Sequence, residues 1–263
     1  MNKSLLAIGR SIVSDTGVAE KDPRRLGSAL VFKPGEHDPK DKTRRIFRPT
    51  AGLPPFGIPM PGIAEAILDQ EDKRLWRLKG AVTAALGTER GVVLVSSLHA
   101  TAPVGRVAAG LAAAMILSER RPLVLLDLEY HEHTLQRIAG ITTPFGLPDV
   151  LRGQYGLSEL VASSRDPRVG FLGGGTRRPG LWELGSLKAG EILSELVQAF
   201  DLLIAAMPPG DDGTSEVMAA AASAMGLKVL GVLLAPAEEP DEITRFANML
   251  EVAGGRLLGW VLT

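Results

Sequence analysis

Six short apolar runs without polar alternation govern the chain from residue 91 onward: Val92–Ser96, Leu123–Asp127, Val169–Leu172, Leu202–Ala206, Val229–Leu234 and Leu257–Leu262. A strand that is apolar on both sides must be covered on both sides. Helices are predicted between these runs, over Val104–Ser118, Leu187–Phe200, Thr214–Met225 and Asp241–Ala253. The last takes Asp241 as its N-cap, sets Ile243, Phe246 and Leu250 on one face, and ends at Gly254-Gly255. Strands alternating with helices imply an α/β fold: a mostly parallel sheet, right-handed crossovers and helices on both faces.

Ahead of this unit the pattern changes. Seven prolines fall between Pro34 and Pro61, and the stretch 49–59 cannot be a helix interior or a central strand. Residues 1–62 therefore read as an irregular, extended or partly disordered N-terminal arm, and 63–263 as the α/β domain. Leu53, Phe56, Ile58 and Met60 give the arm apolar points for docking. A leading helix is predicted from about Gly62 to Leu86, with Leu75, Leu78, Val82 and Leu86 at helical spacing and Gly87 to stop it. Trp76 reads as a packing residue.

Charge and composition exclude several functions. The net charge of −1 gives no electrostatic case for nucleic acid. The arm is basic by five charges, but its Lys and Arg are scattered, as in a solvated tail. No cysteine is present, which excludes disulfides and thiolate metal sites and suits a reducing cytoplasm. No apolar run approaches the roughly 20 residues of a membrane span, and Leu5–Ile8 is too short for a secretory signal.

The segment Gly91–Met115 has the layout of a phosphate-binding loop: an apolar strand, a short loop, then an Ala-rich helix. A working loop reads G-x-x-x-x-G-K-[ST], with backbone amides around the phosphates and a Lys to neutralise them. Here the span is Ala100, Thr101, Ala102, Pro103, Val104, Gly105, Arg106, without a Lys. Arg106 opens the helix, where its guanidinium could reach an anion at the N-terminus; the plainer reading is a solvated Arg pairing with a local acid. The run Glu129-Tyr130-His131-Glu132-His133 brings two His to i, i+2 spacing, but no third or fourth metal ligand is visible, and it reads as a polar loop. Tyr155 reads as a surface-loop residue.

The order of further segments resembles the cytoplasmic domain of bacterial tyrosine kinases (BY-kinases), which belong with the ParA/MinD-type P-loop ATPases. Leu123–Glu129 is similar to that family's second strand, which ends in D-x-D. Phe145–Gly153 resembles its GL-x-DVL-x-G segment, and 156–161 its next short helix. Val169–Gly175 resembles the following strand and glycine turn, and Pro179–Leu184 the NP-x-ELL motif. Phe200–Pro209 is similar to YD-x-VIIDTPP, and Leu230–Leu234 and Leu258–Thr263 to the last two strands. The resemblance covers about Glu71 to Thr263 and implies a P-loop NTPase fold of the MinD type.

The same resemblance implies a degenerate, pseudokinase-like member. With Val107–Ala112 set on the family's VAANLA, Val104 takes the Walker Lys position, Gly105 the magnesium-binding Ser/Thr, and Pro103 the last loop Gly. Ala206 takes the Walker B Asp. Of the acidic set Asp127 remains, with Glu129 as the second carboxylate of D-x-D. The family's Tyr-rich tail has no counterpart, since Tyr130 and Tyr155 are the only tyrosines. The expectation is a non-catalytic protein without cofactor or metal. It would be a regulatory or scaffolding partner of a membrane-anchored polysaccharide co-polymerase, or another envelope-assembly protein, in exopolysaccharide or capsule export. The alternatives are a weak ATPase or kinase using Arg106, Asp127, Glu129 and Mg–ATP, a MinD/ParA-like positioning protein, and a homo-oligomer formed through the relict face.

Overall fold

The computed structural model describes residues 73–119, 121–130, 132–141, 143–163, 168–208, 213–236 and 239–261. The Pro-rich arm, positions 62–72 of the leading helix, His131, Pro209 and the last two residues lie outside them.

Among the described residues sixteen elements follow in order. They are α1 (Lys73–Leu86), β1 (Gly91–Ser97), α2 (Val104–Glu119), β2 (Leu123–Asp127), α3 (Thr134–Ile138), α4 (Leu147–Leu151), α5 (Leu157–Leu160) and β3 (Ala162–Ser163). Then come β4 (Val169–Leu172), α6 (Leu181–Leu184), α7 (Leu187–Phe200), β5 (Leu202–Ala206), α8 (Thr214–Ala224), β6 (Lys228–Leu234), α9 (Pro240–Val252) and β7 (Gly255–Val261). One sheet runs β3-β4-β2-β5-β1-β6-β7. Every pair is parallel except the two-residue β3, which pairs antiparallel with β4.

The apolar runs are strands because successive side chains feed two separate cores. Val92, Leu94, Val124, Leu126, Leu203 and Ala205 enter one cluster with α7, α8 and α9. Val93, Val95, Leu123, Leu125, Leu202, Ile204 and Ala206 enter the other, with α1, α2 and α3. Helix α2 is buried around most of its circumference, from Ala108 through Ile116. A helix apolar all round needs a second cover, and α1 supplies it. Leu75, Val82 and Leu86 of α1 are buried. On the same helix Lys79 Nζ lies 2.5 Å from Glu119 Oε1, and the Thr83 hydroxyl donates to Glu119. Gly87 takes φ +58° and its amide donates to the Thr83 carbonyl at 2.8 Å, which closes α1 in the left-handed turn that glycine tolerates. No helix among the described residues is long and apolar enough to cross a membrane.

The sheet and its strand limits agree with the sequence reading to within two residues. Two local readings do not. Trp76 is exposed rather than packed, because it lies on the side of α1 away from the buried Leu75 and Val82. Asp241 is not the N-cap of α9. Glu239 holds that place, and Pro240 opens the first turn, where its missing N–H costs nothing. Tyr155 lies in the loop between α4 and α5, as the sequence reading has it, and is half-buried there: its ring packs on Phe145 with centroids 4.7 Å apart.

Candidate functional site: a relict nucleotide face

Parallel α/β sheets present their binding crevices at the carboxyl ends of the strands. Here β1, β2 and β5 end side by side. Ala206 pairs with Val95 on one side and Asp127 on the other. The loop after β1 and the loop after β2 therefore meet over Ala206.

The first loop is closed on itself. The Ala102 amide donates to the His99 carbonyl at 3.2 Å, and the Val104 amide to the Ala102 carbonyl at 2.8 Å. The Ser97 hydroxyl also donates to the His99 carbonyl, at 2.6 Å. Pro103 contributes no amide hydrogen. In a phosphate cradle these N–H groups point at the ligand; in this loop they are spent on its own carbonyls. Ala100, Thr101 and Pro103 face solvent, and Ala102 is half-buried.

Val104 is 2% exposed and joins the buried cluster that also contains Val95, Leu135 and Ala206. Val104 and Ala206, the positions the resemblance sets on a Lys and a carboxylate, thus belong to one continuous apolar core. Arg106 is exposed on the first turn of α2, and among the described residues it makes no ion pair, contrary to the local pairing expected of it.

Asp127 is fully buried at the end of β2. Its Oδ1 accepts from the Glu129 amide at 3.0 Å and its Oδ2 from the Gln136 amide at 2.7 Å. Burial pushes its carboxyl above the ordinary value, against the pull of those two amides. Both oxygens are committed to holding the β2–α3 loop, and the His133 amide, donating to the Glu129 carbonyl at 2.9 Å, tightens the same turn. Asp127 is a brace.

Glu129 reaches across to α2. A Cβ placed on Gly105 would stand 2.7 Å from Glu129 Oε2, 2.7 Å from the Leu135 nitrogen and 2.9 Å from Thr134 Cβ. Gly105 is therefore more than a lost hydroxyl: its bare backbone leaves the space that the Glu129 carboxylate and α3 fill. Burial, then the Asp127 charge, raises the Glu129 carboxyl to about 7. The Gly105 amide and the Thr134 amide and hydroxyl oppose that rise. Oε2 itself is buried without a hydrogen-bond partner.

Sequence reasoning missed α3, which lies over this face. Leu135 and Ile138 at i, i+3 after Thr134 were its signal, though five residues give too little periodicity to stand out. His133 precedes it with φ 46°, a left-handed conformation, and leaves Nδ1 buried without a partner. Among the described residues no group of three or more His, Cys, Asp or Glu is placed to hold a metal. A further anchor stands nearby: Arg152 grips Glu183 with two bonds of 2.9 and 3.1 Å, and Glu183 also accepts from the Gly180 amide at 2.7 Å.

No family model and no curated protein matches the sequence. Solved structures do match the fold. The BceF tyrosine kinase domain aligns with 22% identity and a TM-score of 0.57, over 86% of this chain and 97% of its own. The chimerical protein CapA2B2 aligns with 17% identity and a TM-score of 0.62, over 80% and 94%. The kinase domain of the Escherichia coli tyrosine kinase ETK aligns with 19% identity and a TM-score of 0.58, over 72% and 73%. The solved structures similar to this chain include bacterial tyrosine kinase domains, and the chain shares their α/β fold. Shared fold does not carry activity with it.

Proposed function

We propose that this chain is a non-catalytic relative of the BY-kinases. In this reading it works in the cytoplasm as a regulatory or scaffolding partner in exopolysaccharide or capsule export, docked on a membrane-anchored polysaccharide co-polymerase or another envelope-assembly protein. The pathway and partner rest on the resemblance of the sequence motifs and on the kinase-domain neighbours. The loss of chemistry rests on one observation: Val104 and Ala206 lie in the same buried apolar cluster.

Mg–ATP does not fit the residues present. A triphosphate needs a cation at the loop, amides free to donate, and a hydroxyl and carboxylate for the metal. The first position is a buried Val, the amides of Ala102 and Val104 are bonded within the loop, Gly105 has no hydroxyl, and both oxygens of Asp127 are taken. A second reading, a weak ATPase, kinase or positioning ATPase, is favoured by Arg106 alone, exposed at the first turn of α2 without a carboxylate partner among the described residues.

Calorimetric titration with Mg–ATP, with hydrolysis followed in parallel, separates the two. The non-catalytic reading expects neither heat of binding nor released phosphate. Micromolar binding that Arg106→Ala abolishes would establish the second. A pull-down from the native cell, with and without residues 1–62, tests the partner: recovery of a membrane-anchored polysaccharide co-polymerase is expected, and a clean preparation without any envelope-assembly protein would sink the scaffold role.

A further inference from the structure

We infer that Glu129 is a built-in occupant of the relict metal–phosphate position, a side chain that fills the space between the start of α2 and the start of α3 without any ligand. The inference rests on the non-catalytic reading and deepens it: the site is closed from within as well as stripped of its reactive groups.

Three observations on separate elements converge. On α2, Gly105 presents bare backbone, and Glu129 Oε2 stands 2.7 Å from the place its Cβ would occupy. That is the direction in which a residue at 105 would offer a metal-binding hydroxyl. On β2, Asp127 anchors residue 129 through its amide at 3.0 Å and residue 136 through its amide at 2.7 Å, so the carboxylate is delivered from a braced turn. On the loop, the amides of Ala102, Val104 and Val107 already donate to backbone carbonyls. The Glu129 carboxyl fills the space beside Gly105 at the start of a helix of 16 residues, where a ligand would otherwise lie.

The consequence is a domain with one resting arrangement. In a nucleotide-operated domain the loop, the metal position and the following helix are organised by the ligand, and their order changes when it leaves. Here the organising group is covalently part of the chain. Partner binding is then insensitive to nucleotide and to phosphate.

Hydrogen exchange and an inorganic phosphate titration followed by amide NMR, both on the full chain, test this. Glu129→Ala and the milder Glu129→Asp are expected to speed exchange of amides at 105–107 and 134–136 by about tenfold or more, with β1 and β6 amides unchanged. Inorganic phosphate is expected to shift the Gly105 and Arg106 amides in Glu129→Ala and to leave the wild type untouched. Unchanged exchange at 105–107 in both variants, acceleration spread evenly over the sheet, or the same phosphate response in variant and wild type would each overturn the inference. The non-catalytic reading is judged separately, on whether the wild type hydrolyses Mg–ATP.

Discussion

Gly105 and Glu129 share one space: a Cβ on the first would stand 2.7 Å from Oε2 of the second. A glycine at the start of α2 and a glutamate beyond β2 are thus a matched pair. Gly105→Ser should cost about 2 kcal/mol by overpacking. Withdrawing the carboxylate with Glu129→Asp should return about 1 kcal/mol of that in the double variant. Recovery stays partial because the Leu135 nitrogen presses on the same point from 2.7 Å. Urea denaturation of the four proteins measures the coupling, and simple additivity would show that the two residues do not compete for the space.

Asp127 should behave as a structural residue. Asp127→Ala strands the half-buried amides of Glu129 and Gln136, for a loss of about 2 kcal/mol. Asp127→Asn keeps an oxygen for one amide but turns an NH₂ on the other, and falls between alanine and the wild type. The ordering wild type, Asn, Ala in denaturant midpoint is the check.

Glu129 gives stability a pH dependence of defined sign. Its carboxyl is raised from 4.5 to about 7 by burial and by Asp127, so the folded state binds its proton more tightly than the unfolded chain does. The benefit is complete below the unfolded value and is lost as pH rises through about 7. Glu129→Gln, which mimics the protonated form, should therefore be more stable than the wild type at pH 8 and indistinguishable from it near pH 4. Thermal unfolding across that range reads the crossing; a difference that grows on acidification contradicts it.

Glu183 should matter more than its partner Arg152. Removing Arg152 leaves Glu183 with the Gly180 amide, whereas Glu183→Ala breaks both contacts at once. The Arg152 hydrogen bond holds the Glu183 carboxyl below its ordinary value, so its stabilising part is present above that value and fades as pH falls. Thermal midpoints at neutral pH should fall further for Glu183→Ala than for Arg152→Ala.

The sheet was legible because its inner strands are buried on both faces, which writes an uninterrupted apolar run at Val92–Ser96 or Leu202–Ala206 that no amphipathic helix would show. The long helices were legible from their stripes and terminal glycines. The exposed side of α1 at Trp76 was not, because an aromatic among helical Leu residues carries no mark of which way it turns. The cap of α9 was misplaced because Pro240 and Asp241 are both good openers. At the site the missing Lys, hydroxyl and carboxylate could be read directly from Val104, Gly105 and Ala206. What fills their place could not. Glu129 meets Gly105 only through the register that sets Asp127 beside Ala206 and Ala206 beside Val95, and contacts made by tertiary register leave no local pattern.

The joining of Val104 and Ala206 in one buried cluster also bears on how such a chain can change over generations. A lysine returned at 104 would bring an ammonium to a position 2% exposed, among apolar neighbours and without a carboxylate at 206, where an unpaired charge is strongly disfavoured. An aspartate returned at 206 meets the mirror of that difficulty. Neither step is tolerable first, and a hydroxyl at 105 must wait for residue 129 to shorten. A nucleotide site at these positions is therefore hard to assemble one substitution at a time.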